Sequence, residues 1–254
     1  MQPIGAHVAD DDPIARTTAI GGDAVQFFLT DPQAWLAPPV RDDAAQLVAA
    51  GESTRIFIHA PYRINVATTN NRIRVPSRKL LSQHAAAAAA IGANGLIVHG
   101  GHVGDGDDAA KGFENWRKLF ERESFPVPIL IENTAGGENA MARSLEAIKQ
   151  LWDAVGEFGA GLCLDTCHAH AAGLPLENVV DELMAITGRI DLVHANGSRD
   201  EFGSARDRHA NFSESLLDPA LVVAVVKGSG APAIVETHPD GQADDIAVIR
   251  AGLA

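Results

Sequence analysis

The chain has 254 residues, 46% of them hydrophobic and 21% charged, with a formal net charge of −13. This balance excludes a disordered or fibrous chain and a general nucleic-acid coat protein, and the length suffices to bury a large core without covalent staples. Two cysteines, Cys163 and Cys167, exclude a disulfide scaffold, while ten histidines stand against a single tyrosine.

The first dozen residues show neither a basic n-region nor an apolar h-region, and no run of about 18 apolar residues occurs, so a cytoplasmic protein with no membrane span is expected. In chain order, short apolar runs that end in a polar residue predict strands at 4–7, 24–29, 55–59, 95–99, 128–132, 161–165, 191–194 and 233–236. Helical stretches lie between most of them. One starts near Ser77, contains the alanine run 85–90 and ends around Gly92 and Gly95; others cover 141–158 and 176–187. Buried strands alternating with helices imply parallel βα units, and eight of them predict an α/β fold, a (β/α)8 TIM barrel forming a single domain over 1–254. A doubly wound open sheet is the alternative, but it calls for a nucleotide-type glycine loop. Gly104-Asp105-Gly106 lacks the third glycine and reads as a solvated turn.

Six of the eight runs end in a metal-ligand type: His59, His99, Glu132, Asp165, His194 and Glu236. Two residues earlier stand Phe57, Ile97, Leu130, Cys163, Leu192 and Ile234, on the same face of each strand. The apolar member should fill the barrel and the polar member emerge at the C-terminal rim, where barrel enzymes keep their active sites. A lone His or Asp at a strand end is usually a cap. Six converging on one mouth would repel or lose solvation without cations, and His/Asp/Glu donors without thiolate favour Zn2+, with Mn2+ as the alternative.

Two segments add donors: Asp165-Thr166-Cys167-His168, expected in the loop leaving strand six, and Asp207-Arg208-His209 in the loop after strand seven. Nine candidates result, five His, two Asp and two Glu, too many for one ion and suited to two or three. Clustered ions favour phosphoester chemistry, with His59, Glu132, Asp165 and Glu236 at its centre. His7 and His102 are candidate supporting residues at the rim, whereas His84, His170 and His238 read as structural. Cys163 reads as barrel packing and Cys167 as a loop thiol. Arg63, Arg72, Arg74, Arg78 and Lys79 form a stretch without an acidic residue, and Arg199, Arg206 and Arg208 flank the Asp207/His209 pair. They are either a solvated face or contacts to a phosphate backbone.

With these segments in view, the chain resembles the endonuclease IV family of apurinic/apyrimidinic (AP) endonucleases, zinc-dependent DNA-repair enzymes on a TIM barrel. The likeness rests on Ile4-Gly5-Ala6-His7-Val8, Glu132-Asn133-Thr134-Ala135-Gly136, Leu164-Asp165-Thr166-Cys167-His168-Ala169, Phe202-Gly203-Ser204 leading to Asp207-Arg208-His209, and Glu236-Thr237. It implies three zinc ions: one on His59, His99 and Glu132, a second sharing Glu132 with Asp165, His194 and Glu236, and a third on His168, Asp207 and His209. It implies hydrolysis of the phosphodiester 5′ to an abasic site in duplex DNA, leaving a 3′-hydroxyl and a 5′-deoxyribose phosphate; a monomer is expected by default, since the sequence shows no amphipathic seam. Tyr62 matches a residue of the family's DNA-contacting loop. Departures fall in the DNA-facing loops: Ala9-Asp10-Asp11-Asp12-Pro13, Gln33-Ala34-Trp35, Arg63 after Tyr62, and His194-Ala195-Asn196-Gly197-Ser198-Arg199. The DNA contacts expected from this reading are Gln33, Tyr62, Arg63, Arg72, Arg74, Lys79, Arg199 and Arg208. The rival readings are a metal-dependent sugar isomerase or epimerase on the same barrel, and a non-catalytic lesion-binding descendant.

Overall fold

The computed structural model describes residues 2–254. Eight parallel strands close a barrel: β1 (Ile4–His7), β2 (Ala24–Phe28), β3 (Arg55–His59), β4 (Gly95–His99), β5 (Ile129–Glu132), β6 (Gly161–Asp165), β7 (Leu192–His194) and, after a hairpin of β8 (Gly197–Ser198) and β9 (His209–Ala210), β10 (Ala233–Val235). Each barrel strand pairs with its neighbour in sequence, and β10 docks between β7 and β1 to seal the ring. All eight barrel strands lie where the apolar runs predict them.

The register explains why the alternation is readable. Ala24, Phe57, Ile97, Leu130, Cys163, Leu192 and Ile234 form a separate buried cluster, the barrel filling. Their neighbours, such as Ile56, Ile58, Leu96 and Val98, belong to the outer core shared with the helices. Each fully buried Leu or Ile on either face contributes roughly 1.5–3 kcal/mol relative to an exposed one. Gly5 is required where β1 meets β2, because a Cβ there would lie 1.5 Å from the Ala24 carbonyl oxygen.

The helices α1 (Pro13–Ala19), α2 (Ala44–Ala50), α3 (Asn71–Ala90), α4 (Ala109–Phe120), α5 (Leu145–Val155), α6 (Thr166–Ala172), α7 (Leu176–Thr187), α8 (Pro219–Ser229) and α9 (Gln242–Leu253) cover the ring. Two of them correct the sequence reading. α3 begins at Asn71, not near Ser77, because Asn70 caps it by accepting from Arg72 N. Pro76 therefore sits inside the helix, and the carbonyl its missing N–H leaves unpaired belongs to the exposed Arg72. The segment after β6 is not a loop: Asp165 accepts from His168 N at 2.7 Å and caps α6, which buries Cys167 within a helix. The small β8–β9 hairpin carries no strong strand pattern in the sequence; it pairs Ser198 with His209. No helix among the described residues is long and apolar enough to cross a membrane.

Candidate metal centre

The strand ends deliver the six rim residues to one point. His59, Glu132, Asp165 and His194 close β3, β5, β6 and β7 and are almost wholly buried; His99 ends β4, and Glu236 follows β10. Glu132 is the hub. Its Oε2 stands 3.1 Å from His59 Nε2 and 3.4 Å from His99 Nε2, and its Oε1 stands 3.1 Å from His194 Nδ1 and 3.2 Å from His168 Nδ1. His194 Nδ1 also lies 3.2 Å from Glu236 Oε2 and 3.9 Å from Asp165 Oδ2.

The donor atoms fall into groups with metal-ligand spacing, within 4.8 Å of one another: His59, His99 and Glu132; and Glu132, Asp165, His194 and Glu236. These are the first two sets that the resemblance implied. The region of the third is more intertwined. Asp207 places one carboxylate oxygen 3.1 Å from His168 Nε2 and the other 3.1 Å from His209 Nε2. Close groups there are Asp165, His168 and His209, and Cys167, Asp207 and His209, so the Asp165 carboxylate and the Cys167 thiol border the His168/Asp207/His209 set.

The hydrogen bonds behind these residues show that the site fits cations. Fixed acceptors hold one nitrogen of each of four imidazoles: the Ala60 carbonyl on His59 Nδ1 at 2.7 Å, the Asn133 carbonyl on His168 Nδ1 at 2.9 Å, Gln26 Oε1 on His194 Nε2 at 2.8 Å and the Glu236 carbonyl on His209 Nδ1 at 3.4 Å. The other nitrogen of each ring faces carboxylates, so it either carries a second proton or offers a lone pair to a cation. For His168 and His209 that nitrogen, Nε2, is buried without a hydrogen-bond partner although carboxylate oxygens stand near it. Such a geometry suits a cation between donors better than a proton on one of them.

The charges agree. Burial pushes the Glu132 carboxyl up, but His194 and His99 outweigh it and hold it well below the usual carboxylate range. Burial lifts Asp165 above its ordinary value, against the pull of His168 and His209. Burial holds His99 neutral, with its pKa lowered to about 4. Without cations, Glu132, Asp165 and Glu236 must share the protons of His168, His194 and His209, all raised above the ordinary imidazole value despite burial.

The supporting residues are mostly ones that the sequence pattern does not single out. Asn196 Nδ2 donates to Asp165 Oδ2 at 2.7 Å and to Glu236 Oε2 at 3.2 Å, while its Oδ1 accepts from Glu236 N at 2.7 Å. The Asn133 side chain clasps the Asp165 backbone from both sides. Gln26 donates to Glu236 Oε1 at 2.6 Å. Gln26 alone leaves a signal in the sequence, as a lone amide inside the apolar run of β2. His7 does join the centre, its Nδ1 being 3.5 Å from Glu236 Oε1. His102 instead bonds with Asn65 beside the mouth.

Two clefts open on the centre. One of about 550 Å3 is lined by His7, Arg16, Phe28, His209 and Glu236, the other of about 410 Å3 by His99, Asn65, His102 and Gly136, and Tyr62 is a wall of both. The Tyr62 ring lies nearly parallel to His99, 5.7 Å between centroids. The other expected DNA contacts are scattered. Arg63 donates to the Gln33 carbonyl, joining the two loops. Arg72 is exposed at the start of α3, Arg74 turns back to the Thr68 carbonyl, and Lys79 lines a groove between α3 and α4 rather than either cleft. Arg199 donates to the His209 carbonyl, and Arg208 is paired with Asp200 at 2.7 Å.

Residues 14–253 match the family described as xylose isomerase-like TIM barrel. The chain is 57% identical to a probable endonuclease 4 of Mycobacterium tuberculosis over 247 residues, 97% of each chain. Among solved structures, endonuclease IV from Thermus thermophilus superposes with a TM-score of 0.84 at 27% identity, covering 99% of this chain and 98% of that one. A D-tagatose 3-epimerase-like protein shares the fold with a TM-score of 0.81 at 17% identity, covering 99% and 97%. The chain thus belongs to the xylose isomerase-like TIM-barrel family and, within it, to the endonuclease IV enzymes.

Proposed function

We propose that the protein is a DNA-repair AP endonuclease that hydrolyses the phosphodiester 5′ to abasic sites in duplex DNA, leaving a 3′-hydroxyl and a 5′-deoxyribose phosphate. The observation that carries this reading is the buried convergence of imidazoles on Glu132, both of whose oxygens are shared between neighbouring donor groups. His59, His99 and Glu132 would hold one Zn2+; Glu132, Asp165, His194 and Glu236 a second; His168, Asp207 and His209 a third, with Mn2+ an alternative metal. When bound, such ions activate water and offset the charge that develops on the phosphoryl and departing oxygens.

The chain's own residues supply the rest. Glu132, His59, Asp165 and Glu236 surround the reacting phosphate. Gln26 and Asn196 fix the orientation of His194 and Glu236, so the donor set is preorganised before substrate arrives. Tyr62, standing between the two clefts, meets the DNA at the mouth, with Gln33, Arg63, Arg72, Arg74, Lys79, Arg199 and Arg208 as flanking contacts. Lifting a baseless sugar out of the helix costs least at a damaged site. The enzyme acts as a monomer in the cytoplasm, where Cys163 and Cys167 stay reduced. A sugar isomerase or epimerase needs one or two ions and a base, which leaves the His168, Asp207 and His209 set without a task.

The test is a duplex carrying one tetrahydrofuran abasic analogue, which cannot undergo β-elimination, with metal content measured on the same sample. A 5′ nick that disappears when zinc is stripped is expected. An intact duplex with two or three zincs bound would overturn the reading.

A further inference from the structure

The cleft on the β1/β10 side of the mouth is walled by His7, Tyr62 and Glu236, and one fixed cation lines it, Arg16 of α1. The Arg16 guanidinium is strapped across the cleft: one terminal nitrogen donates to the Pro239 carbonyl at 3.1 Å, on the segment that follows β10. Its Nε lies 3.9 Å from Asp10 Oδ2, too long for a hydrogen bond, and the side chain is 30% exposed. Part of the fork is therefore committed to placing the group and part is left for an incoming acceptor. Asp10, at the same cleft and 53% exposed, is a loose counter-charge that another anion can displace.

From this arrangement we infer that Arg16 is a substrate-binding residue, taking a backbone phosphate that flanks the reacting one, with Asp10 as the occupant that this phosphate replaces. The inference rests on the proposed action on DNA. A planar guanidinium held from behind by a carbonyl suits a phosphodiester, since it can present two parallel N–H groups to two oxygens. The surroundings favour it too: Asp10 lines the same cleft, and an anion seated beside it meets repulsion unless a cation intervenes. Because the Pro239 carbonyl fixes Arg16 before DNA arrives, little side-chain freedom is lost on binding.

The two residues then act with opposite signs, which a merely structural role would not produce. Steady-state cleavage of the tetrahydrofuran duplex by the zinc-loaded enzyme compares wild type, Arg16→Gln and Asp10→Asn across a salt series. Expected are a KM about tenfold higher for Arg16→Gln, a KM lower than wild type for Asp10→Asn, kcat unchanged in both, and a salt slope of log KM smaller by about one in Arg16→Gln. An Arg16→Gln enzyme with wild-type KM and salt slope would overturn this inference while leaving the endonuclease reading intact. Loss confined to kcat would also overturn it. A wild-type enzyme that leaves the duplex whole would remove both readings together.

Discussion

Gln26 and His194 hold each other across the barrel mouth: Gln26 Oε1 accepts from His194 Nε2 at 2.8 Å, reaching from β2 past β1 and β10 to β7. That bond places the ring proton on Nε2 and leaves Nδ1 facing Glu132 and Glu236. Replacing Gln26 with Leu should free the ring to take the other tautomer, lowering metal affinity by about 10–100-fold. Competition of the loaded enzyme against a graded chelator reads this directly. Wild-type retention would show that the strand ends orient His194 without the amide.

Glu132 is the one side chain that the His59/His99 group shares with the His194/Glu236 group. Glu132→Ala should lose at least one ion per chain and cut cleavage of abasic DNA by several orders of magnitude, read by elemental analysis and nicking on the same preparation. Normal cleavage by a metal-loaded Glu132→Ala protein would rule out the shared carboxylate.

Asn196 is fully buried and ties Asp165 to Glu236 through one amide. Asn196→Ala leaves buried carboxylate oxygens and the Glu236 N–H short of a partner, at a cost on the order of 1–3 kcal/mol each. A melting temperature lower by about 6 °C or more is expected by calorimetry of the metal-loaded protein, since 1 kcal/mol corresponds to roughly 2–4 °C at this chain length. An unchanged melting temperature would mean that water takes over the amide's bonds.

How far the sequence discloses such things depends on the kind of order involved. The barrel is readable because its strands repeat one rule, an apolar residue facing in and a polar one two places later, as in Phe57 and His59 or Leu130 and Glu132. The convergence of the candidate donors is readable for the same reason, and the resemblance supplies the proposed partition among ions. What escapes is order made by single bonds. Asn70 starting α3 before Pro76, Asp165 capping α6, and Asn196 bridging two carboxylates each depend on where one oxygen lands, which periodicity does not encode. The candidate DNA contacts are least legible, since a run of basic residues does not say which of them turn inward, as Arg74 does, or face another groove, as Lys79 does.

His84 provides a pH signature outside the candidate metal centre. It is buried within α3, its ring nitrogens lack a well-aligned hydrogen bond, and burial lowers its pKa from 6.5 to about 4 against a small opposing pull from the backbone at Leu36. The folded state thus keeps the ring neutral while the unfolded chain protonates it below about pH 6.5. Unfolding then takes up a proton as the pH falls through the window from about 6.5 to about 4, so stability contributed by neutral His84 is present above that window and lost across it, about 3 kcal/mol in all. Denaturant melts of wild type and His84→Leu between pH 7.5 and 4.5 should diverge in this sense, the variant losing less. Parallel curves would show that the ring is solvated before it charges.

The candidate donors are spread over 178 residues, from His59 to Glu236, but they do not become available together. His59, His99 and Glu132 sit on the consecutive strands β3, β4 and β5, so an arc of three strands already brings the first group within reach. The second group needs Glu236, which arrives only when β10 slots between β7 and β1. On the proposed reading the two ions would report different things: the first needs only an open arc of three strands, and the second would be held only once the ring has shut.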